Sequence, residues 1–237
     1  MQKRPNISAI IFDLDGVILD SVALKTDLFL RCYGDELTEE HKTYIRAHQA
    51  RHGGVGRGEK FEHFELALFG RQPTSESVAR LTRLYGDLLA EEIDDCSYLP
   101  GAEAFLTAVA QELPLHVVSG TLHGDLVRIL NDRKLMQYFV SVIGSPTRKL
   151  DAFRAIVEQE GYYPLTVLAI GDARTEFDAA MALGMPFVGI VAPSEPNPFP
   201  PDTLVYPDLA ALYADWGRYS LLAPERGAAT NSLGRCY

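Results

Sequence analysis

Asp13 and Asp15 stand two residues apart in Phe12-Asp13-Leu14-Asp15-Gly16-Val17, at the end of the apolar run Ala9–Phe12. Side chains alternate along an extended chain, so both carboxylates point to one side, Leu14 points away, and Gly16 lets the chain turn out of a sheet. Two further apolar runs also end in oxygen: Leu115–Val118 in Ser119, and Val167–Ile170 in Gly171-Asp172. Apolar interiors seldom tolerate acids at several neighbouring strand ends without a use for them. Converging carboxylates need a cation, and an oxygen-only ligand set favours Mg2+. In isolation Asp-x-Asp also fits a pair of turn acids or a helix cap; Asp172 weighs against that reading.

The elements that would position these groups are legible as a pattern. Short apolar runs at Ala9–Phe12, Leu115–Val118, Val140–Ile143, Val167–Ile170 and Phe187–Val191 alternate with segments of helical period. Such alternation predicts an α/β fold, a doubly wound, parallel, Rossmann-like sheet with helices on both faces. Ligands of such sheets collect at the carboxyl ends of the strands, where the acids stand. Leu122, Leu126, Ile129 and Leu130 share one helix face, as do Phe153, Ile156 and Val157 before a stop at Gly161; Ala179, Ala180 and Leu183 lead to Gly184. Roughly 95 residues separate the first two strands, where about a dozen would make the crossover. That insert shows helical spacing at Leu24, Leu28 and Phe29, at Phe61, Phe64 and Leu68, and at Leu81, Leu84, Leu88 and Leu89. The expected organisation is a core of residues 1–20 and 97–216, a helical cap of residues 21–96, and a peripheral tail of residues 217–237.

Composition narrows the function. The 237 residues carry 22 Lys and Arg against 32 Asp and Glu, a net charge of −10, which disfavours nucleic acid as a partner. No apolar run approaches the ~20 residues of a membrane helix. The basic start Met-Gln-Lys-Arg-Pro-Asn is followed by a short apolar run broken by Asp13 and Asp15, unlike a signal peptide, so a cytoplasmic location is expected. Cys32, Cys96 and Cys236 are odd in number and far apart, which argues against a disulfide framework or a zinc site. His48 and His52 have zinc-ligand spacing, but no Glu follows His48 and no third ligand is apparent. His116, in a strand, reads as a buried imidazole with its hydrogen bonds met.

In chain order, Asp13-Leu14-Asp15-Gly16-Val17, Ser119-Gly120-Thr121, Lys149 and Gly171-Asp172 resemble the four motifs of the haloacid dehalogenase superfamily of aspartyl-phosphate enzymes, over roughly Ile10 to Ala192. The position of the insert is similar to that superfamily's helical cap of the first type, found in phosphoglycolate phosphatase and beta-phosphoglucomutase relatives. The resemblance implies that Asp13 attacks phosphorus, that Asp15 serves as general acid and base, and that Ser119 and Lys149 take charge on the phosphoryl group. It implies Mg2+ held by Asp13, a main-chain carbonyl of Leu14 or Asp15, and Asp172, with Glu176 as a further acid. A carboxylate meeting a phosphate dianion at about 4 Å meets about 8 kcal/mol of repulsion at an effective dielectric near 20, so such help is needed. Gly120 and Thr121 would line the phosphate site. Thr121 could also cap the next helix, and Arg148 rivals Lys149.

The sequence departs from the family pattern in two places. Many relatives have an Asp four residues after the first acid of the last motif; here Glu176 stands there, with Asp178 beyond it as a helix-surface acid. The stretch Gly53-Gly54-Val55-Gly56-Arg57 resembles a cap loop of the mutase branch, in which the arginine holds a substrate's anionic end. Lys25 falls near the place of that branch's cap histidine, and a protonated lysine does not shuttle protons as histidine does. Hydrolysis of a small phosphorylated metabolite is therefore expected, with Lys25 and Arg57 on the substrate. The alternatives are a phosphomutase, a catalytically blunted phosphate-binding module, and phosphonate cleavage through a Schiff base on Lys25 or Lys60.

Overall fold

The computed structural model describes residues 6–221. Six strands form one parallel sheet: β2 (Ala9–Phe12), β3 (Leu115–Leu122), β4 (Phe139–Ser145), β5 (Val167–Gly171), β6 (Phe187–Ile190) and β7 (Val205–Tyr206), in the spatial order β4-β3-β2-β5-β6-β7. β1 (Asn6–Ile7) pairs in parallel with β8 (Ser220–Leu221) as a separate ribbon. The chain grows outward from β2 to β3 and β4, then returns to the other side of β2 with β5. Backbone direction therefore reverses its sideways progress between β2 and β5, where the strand ends open into a crevice.

Alternation along the strands sorts side chains into two cores. Ile10, Phe12, Leu168 and Ile170 pack with Phe105, Leu126, Ile129 and Leu209 on one face; Ala9, Ile11, Val118 and Ala169 pack with Phe153, Ile156 and Ala179 on the other. The first face is covered by α5 (Ala102–Val109), α6 (His123–Asp132) and α9 (Leu209–Ala214), the second by α7 (Lys149–Glu160) and α8 (Arg174–Leu183). Burial on both faces explains why the strands read as unbroken apolar runs. Gly161 and Gly184 end their helices in the left-handed conformation, as the sequence predicts.

Four helices fill the insert: α1 (Val22–Tyr33), α2 (Glu39–Arg51), α3 (Arg57–Phe69) and α4 (Ser75–Glu92). They enclose an aromatic cluster in which the Phe29 ring lies 4.7–5.6 Å from those of Tyr85, Phe61 and Phe64. Leu84 is 36% exposed; Tyr85 takes the buried place beside Leu81 and Leu89. Among the described residues no helix is long and apolar enough to cross a membrane.

Three expectations are corrected locally. β3 runs on through Ser119-Gly120-Thr121 to Leu122, so Leu122 belongs to a strand and α6 starts at His123. β7 escapes a search for apolar runs because only two residues pair. Residues 217–221 of the presumed tail are integrated: Tyr219 is 7% exposed and Ser220 pairs with Asn6. Residues 222–237 lie outside the described residues, as does Cys236; Cys32 and Cys96 are free thiols.

Candidate active site

β2 delivers Asp13 to the crevice, where it is 4% exposed and its Oδ1 accepts the Leu14 amide at 2.7 Å. α7 begins at Lys149, whose ammonium is also buried: it lies 2.9 Å from Asp13 Oδ1 and 2.7 Å from Glu176 Oε1, and donates to the Val118 carbonyl at 2.6 Å. An ammonium at a helix N-terminus opposes the dipole, and these oxygens offset that cost. Arg148 points outward to Glu59 with a side chain 74% exposed, so the rival cation is excluded from the centre.

Asp13, Asp172 and Glu176 each offer a carboxylate oxygen within 4.8 Å of the others. Burial drives the Asp13 carboxyl up to about 7, with Glu176 and Asp15 adding to the rise and Lys149 opposing it. Burial likewise holds Asp172 well above the usual carboxylate range, reinforced by Asp13 and Glu176. Lys149 is held above its ordinary value by these acids in spite of its burial. One ammonium among three carboxylates, two of them buried, leaves excess negative charge, and an all-oxygen set fits a hard divalent cation such as Mg2+. Gly16, at φ +71°, makes this approach possible: a Cβ there would stand 2.2 Å from Asp172 Oδ2. Glu176 is 1% exposed, Thr175 Oγ1 donates to its Oε1 at 2.9 Å, and its Oε2 accepts the Ala173 amide at 3.2 Å. Asp178 is a surface acid paired with Arg174 at 2.9 Å.

Asp15 sits apart from that trio in a shell of donors. Ser21 Oγ donates to its Oδ1 at 2.5 Å, while Lys25 Nζ, Thr121 Oγ1 and Ser119 Oγ donate to Oδ2 at 2.6, 3.1 and 3.2 Å. Ser119 and Thr121 reach one oxygen because residues two apart on β3 share a face. Burial opposes ionisation here too, but Lys25 and the hydroxyl donors prevail and hold the carboxyl below its ordinary value. Thr121 does not cap α6: its hydroxyl is taken by Asp15, Lys25 and Ser119, and α6 has no side-chain cap. Lys25 faces Asp15 and Thr121 rather than open solvent.

The insert closes over this floor around a cavity of about 590 Å3, lined by Asp13, Asp15, Lys25, Arg57, Lys60 and Asp172 among others. Gly54, at φ +78°, brings the loop before α3 against the core: a Cβ would meet Thr175 Oγ1 at 2.1 Å, and a Cβ on Gly120 would meet the Gly54 carbonyl oxygen at 2.6 Å. The Gly53 carbonyl, also 2.9 Å from Thr175 Oγ1, is the alternative acceptor for that hydroxyl proton. Arg57, 8% exposed, reaches Asp125 Oδ2 at 2.8 Å and lies over the Tyr85 ring, with Nε and Nη1 buried and without a hydrogen-bond partner. Thr175, Asp125 and Tyr85 escape the sequence reading because nothing local marks a residue whose partner is 28 to 122 positions away. His63 stacks on His48, with ring centroids 4.4 Å apart, yet among the described residues only the Asp13 trio has ligand atoms close enough for a shared ion. His116 is buried between Ser141 Oγ and Tyr162 Oη, as expected.

Comparison with known proteins agrees with this geometry. A family model described as haloacid dehalogenase-like hydrolase matches residues 10–190. A phosphoglycolate phosphatase of Rhodospirillum rubrum is 26% identical over 234 residues, covering 95% of this chain and 97% of its own; one of Escherichia coli K12 is 26% identical over 216 residues, covering 80% and 83%. Among solved structures, a predicted phosphoglycolate phosphatase from Haemophilus somnus superposes with TM-score 0.70 at 18% identity over 91% of this chain and 100% of its own. A candidate beta-phosphoglucomutase from Bacteroides vulgatus superposes with TM-score 0.71 at 17% identity over 91% and 90%. The chain belongs to the haloacid dehalogenase-like hydrolases, an enzyme of that family whose curated relatives are phosphatases.

Proposed function

We propose that the protein is a Mg2+-dependent phosphatase that releases inorganic phosphate from a small phosphomonoester, of which 2-phosphoglycolate is the first to test. The different surroundings of two carboxylates support this reading best: Asp13 lies with Asp172, Glu176 and Lys149, whereas Asp15 lies among hydroxyls and Lys25. Environments that push two acids apart divide the labour between them. Mg2+, when bound by Asp13, Asp172 and Glu176, would neutralise charge on the phosphoryl group.

Asp13 Oδ is the nucleophile: it forms a bond to phosphorus as the ester oxygen leaves, giving an aspartyl phosphate. Asp15 gives its proton to that leaving oxygen and then takes one from the water that hydrolyses the intermediate. The Asp15 shell holds the carboxylate form, so proton delivery requires substrate to weaken the contact with Lys25. Lys149 neutralises charge beside Asp13, and the closed insert keeps bulk water off the intermediate. Lys25 on Asp15 favours free phosphate over an isomer as the product.

The test is phosphate release from p-nitrophenyl phosphate and 2-phosphoglycolate, with Mg2+ and with a chelator. Activity is expected only with metal and is lost in Asp13→Asn. Release that persists through both treatments defeats the proposal.

A further inference from the structure

Thr175, in the first turn of α8, has one hydroxyl proton and two acceptors for it, the Gly53 carbonyl and Glu176 Oε1, each 2.9 Å away. The first belongs to the loop between α2 and α3 that closes over the cavity, the second to the trio of carboxylates beneath it. The backbone of that loop rests directly on the start of α8: a Cβ on Gly53 would stand 2.9 Å from Ala173 Cβ, and one on Gly54 2.7 Å from Glu176 Oε1. Arg57 with Asp125, Arg148 with Glu59, and Lys25 with Asp15 and Thr121 also join insert to core, but they touch none of the three carboxylates. A carboxylate accepts a hydrogen bond more strongly than a neutral carbonyl, so without a cation the proton goes to Glu176. A divalent cation draws on the electron pairs of Glu176 and repels a proton aimed at them, which leaves the Gly53 carbonyl as the better acceptor. A hydroxyl turns about its C–O bond without movement of the backbone, and Lys149, 2.7 Å from the same Glu176 oxygen, keeps that oxygen partnered when the hydroxyl turns away.

We infer that Thr175 is a positioning residue that couples the acidic site to the insert: its hydroxyl turns to the Gly53 carbonyl when Mg2+ is held by Asp13, Asp172 and Glu176, and so fastens the loop over the cavity. This rests on the reading of that trio as the Mg2+ site of a phosphatase. The insert is then held shut most firmly when the charge that the phosphoryl group needs is in place. Linkage makes the coupling reciprocal, so a fastened loop strengthens Mg2+ binding by the factor by which Mg2+ favours closure. One neutral hydrogen bond sets that factor at about 3- to 10-fold.

The test is amide hydrogen exchange of the full chain as wild type, Thr175→Val and Thr175→Ser, with Mg2+ and with NaCl at matched ionic strength, alongside calorimetric Mg2+ binding. In wild type and Thr175→Ser, Mg2+ is expected to slow exchange over residues 52–57 about 3- to 10-fold. In Thr175→Val, which replaces the hydroxyl by a methyl, that slowing is expected to disappear, while exchange in NaCl stays within about twofold of wild type. The Mg2+ affinity of Thr175→Val is expected to fall by no more than the same factor of about 3 to 10. Slowing that survives in Thr175→Val overturns the inference. So does exchange that is faster by one factor with and without Mg2+, which a merely structural contact would give. A larger loss of Mg2+ affinity places Thr175 in the metal site itself and overturns it as well. A wild type that binds Mg2+ without slowed exchange defeats the inference alone, whereas a wild type that binds no Mg2+ defeats the metal-dependent phosphatase reading together with it.

Discussion

Lys149 balances two carboxylates at once, so its removal has effects of opposite sign. Lys149→Met leaves Asp13 and Glu176 without their shared cation, 2.9 and 2.7 Å from where it stood. Turnover of p-nitrophenyl phosphate is expected to fall at least about 100-fold, while the Mg2+ needed to stabilise the fold declines, because the site is then more negative. Steady-state kinetics and melting curves across a Mg2+ titration check both halves. Burial makes the Asp13 carboxyl, raised to about 7, favour its protonated form in the folded protein. The folded state then binds more protons than the unfolded one between the ordinary carboxylate range and about 7, so stability without metal declines as pH rises through that window. Added Mg2+ should raise the melting temperature more at pH 7.5 than at pH 5.5.

At the scale of elements, strand β3 carries a titratable group far from the crevice. His116 is fully buried, and burial depresses its imidazole to about 4. A base whose folded value lies below its unfolded value contributes stability that is complete above pH ~6.5 and is lost as pH falls toward 4. His116→Phe should flatten that part of the pH dependence relative to wild type by on the order of 1–3 kcal/mol, measured by denaturant unfolding at pH 7 and pH 4.5. The turn after β2 is equally specific. Gly16→Ala forces a Cβ into Asp172 at a left-handed φ, so weaker Mg2+ binding and loss of turnover are expected, with the strands intact by circular dichroism.

At the scale of the molecule, the polar links between the insert and the core around the cavity include Arg57 with Asp125, Thr175 with the Gly53 carbonyl, Lys25 with Asp15 and Thr121, and Arg148 with Glu59. Loops that must admit a substrate are drawn from the less stable parts of a fold. Asp125→Asn removes the charge partner of Arg57 without touching the carboxylates. Faster amide exchange over residues 52–57 and a raised KM, with kcat changed less than about threefold, are the expected outcome. Unaltered exchange there would show that the Arg57 contact does not hold the insert closed.

The alternation of apolar runs and helical spacing determined the parallel sheet and its helices, because burial of both sheet faces leaves a pattern that each segment carries alone. The acids at strand ends were legible for the same reason: Asp13, Asp15 and Asp172 break apolar runs at the one place where a parallel sheet can use them. Tertiary structure alone decided which acid meets which cation. Glu176 joining Asp13 through Lys149, Asp15 drawn away by Ser21, Lys25 and Thr121, and Arg57 reaching Asp125 all depend on residues brought together across the chain. A side chain's charge is local to the sequence, but the field that tunes it is summed in space.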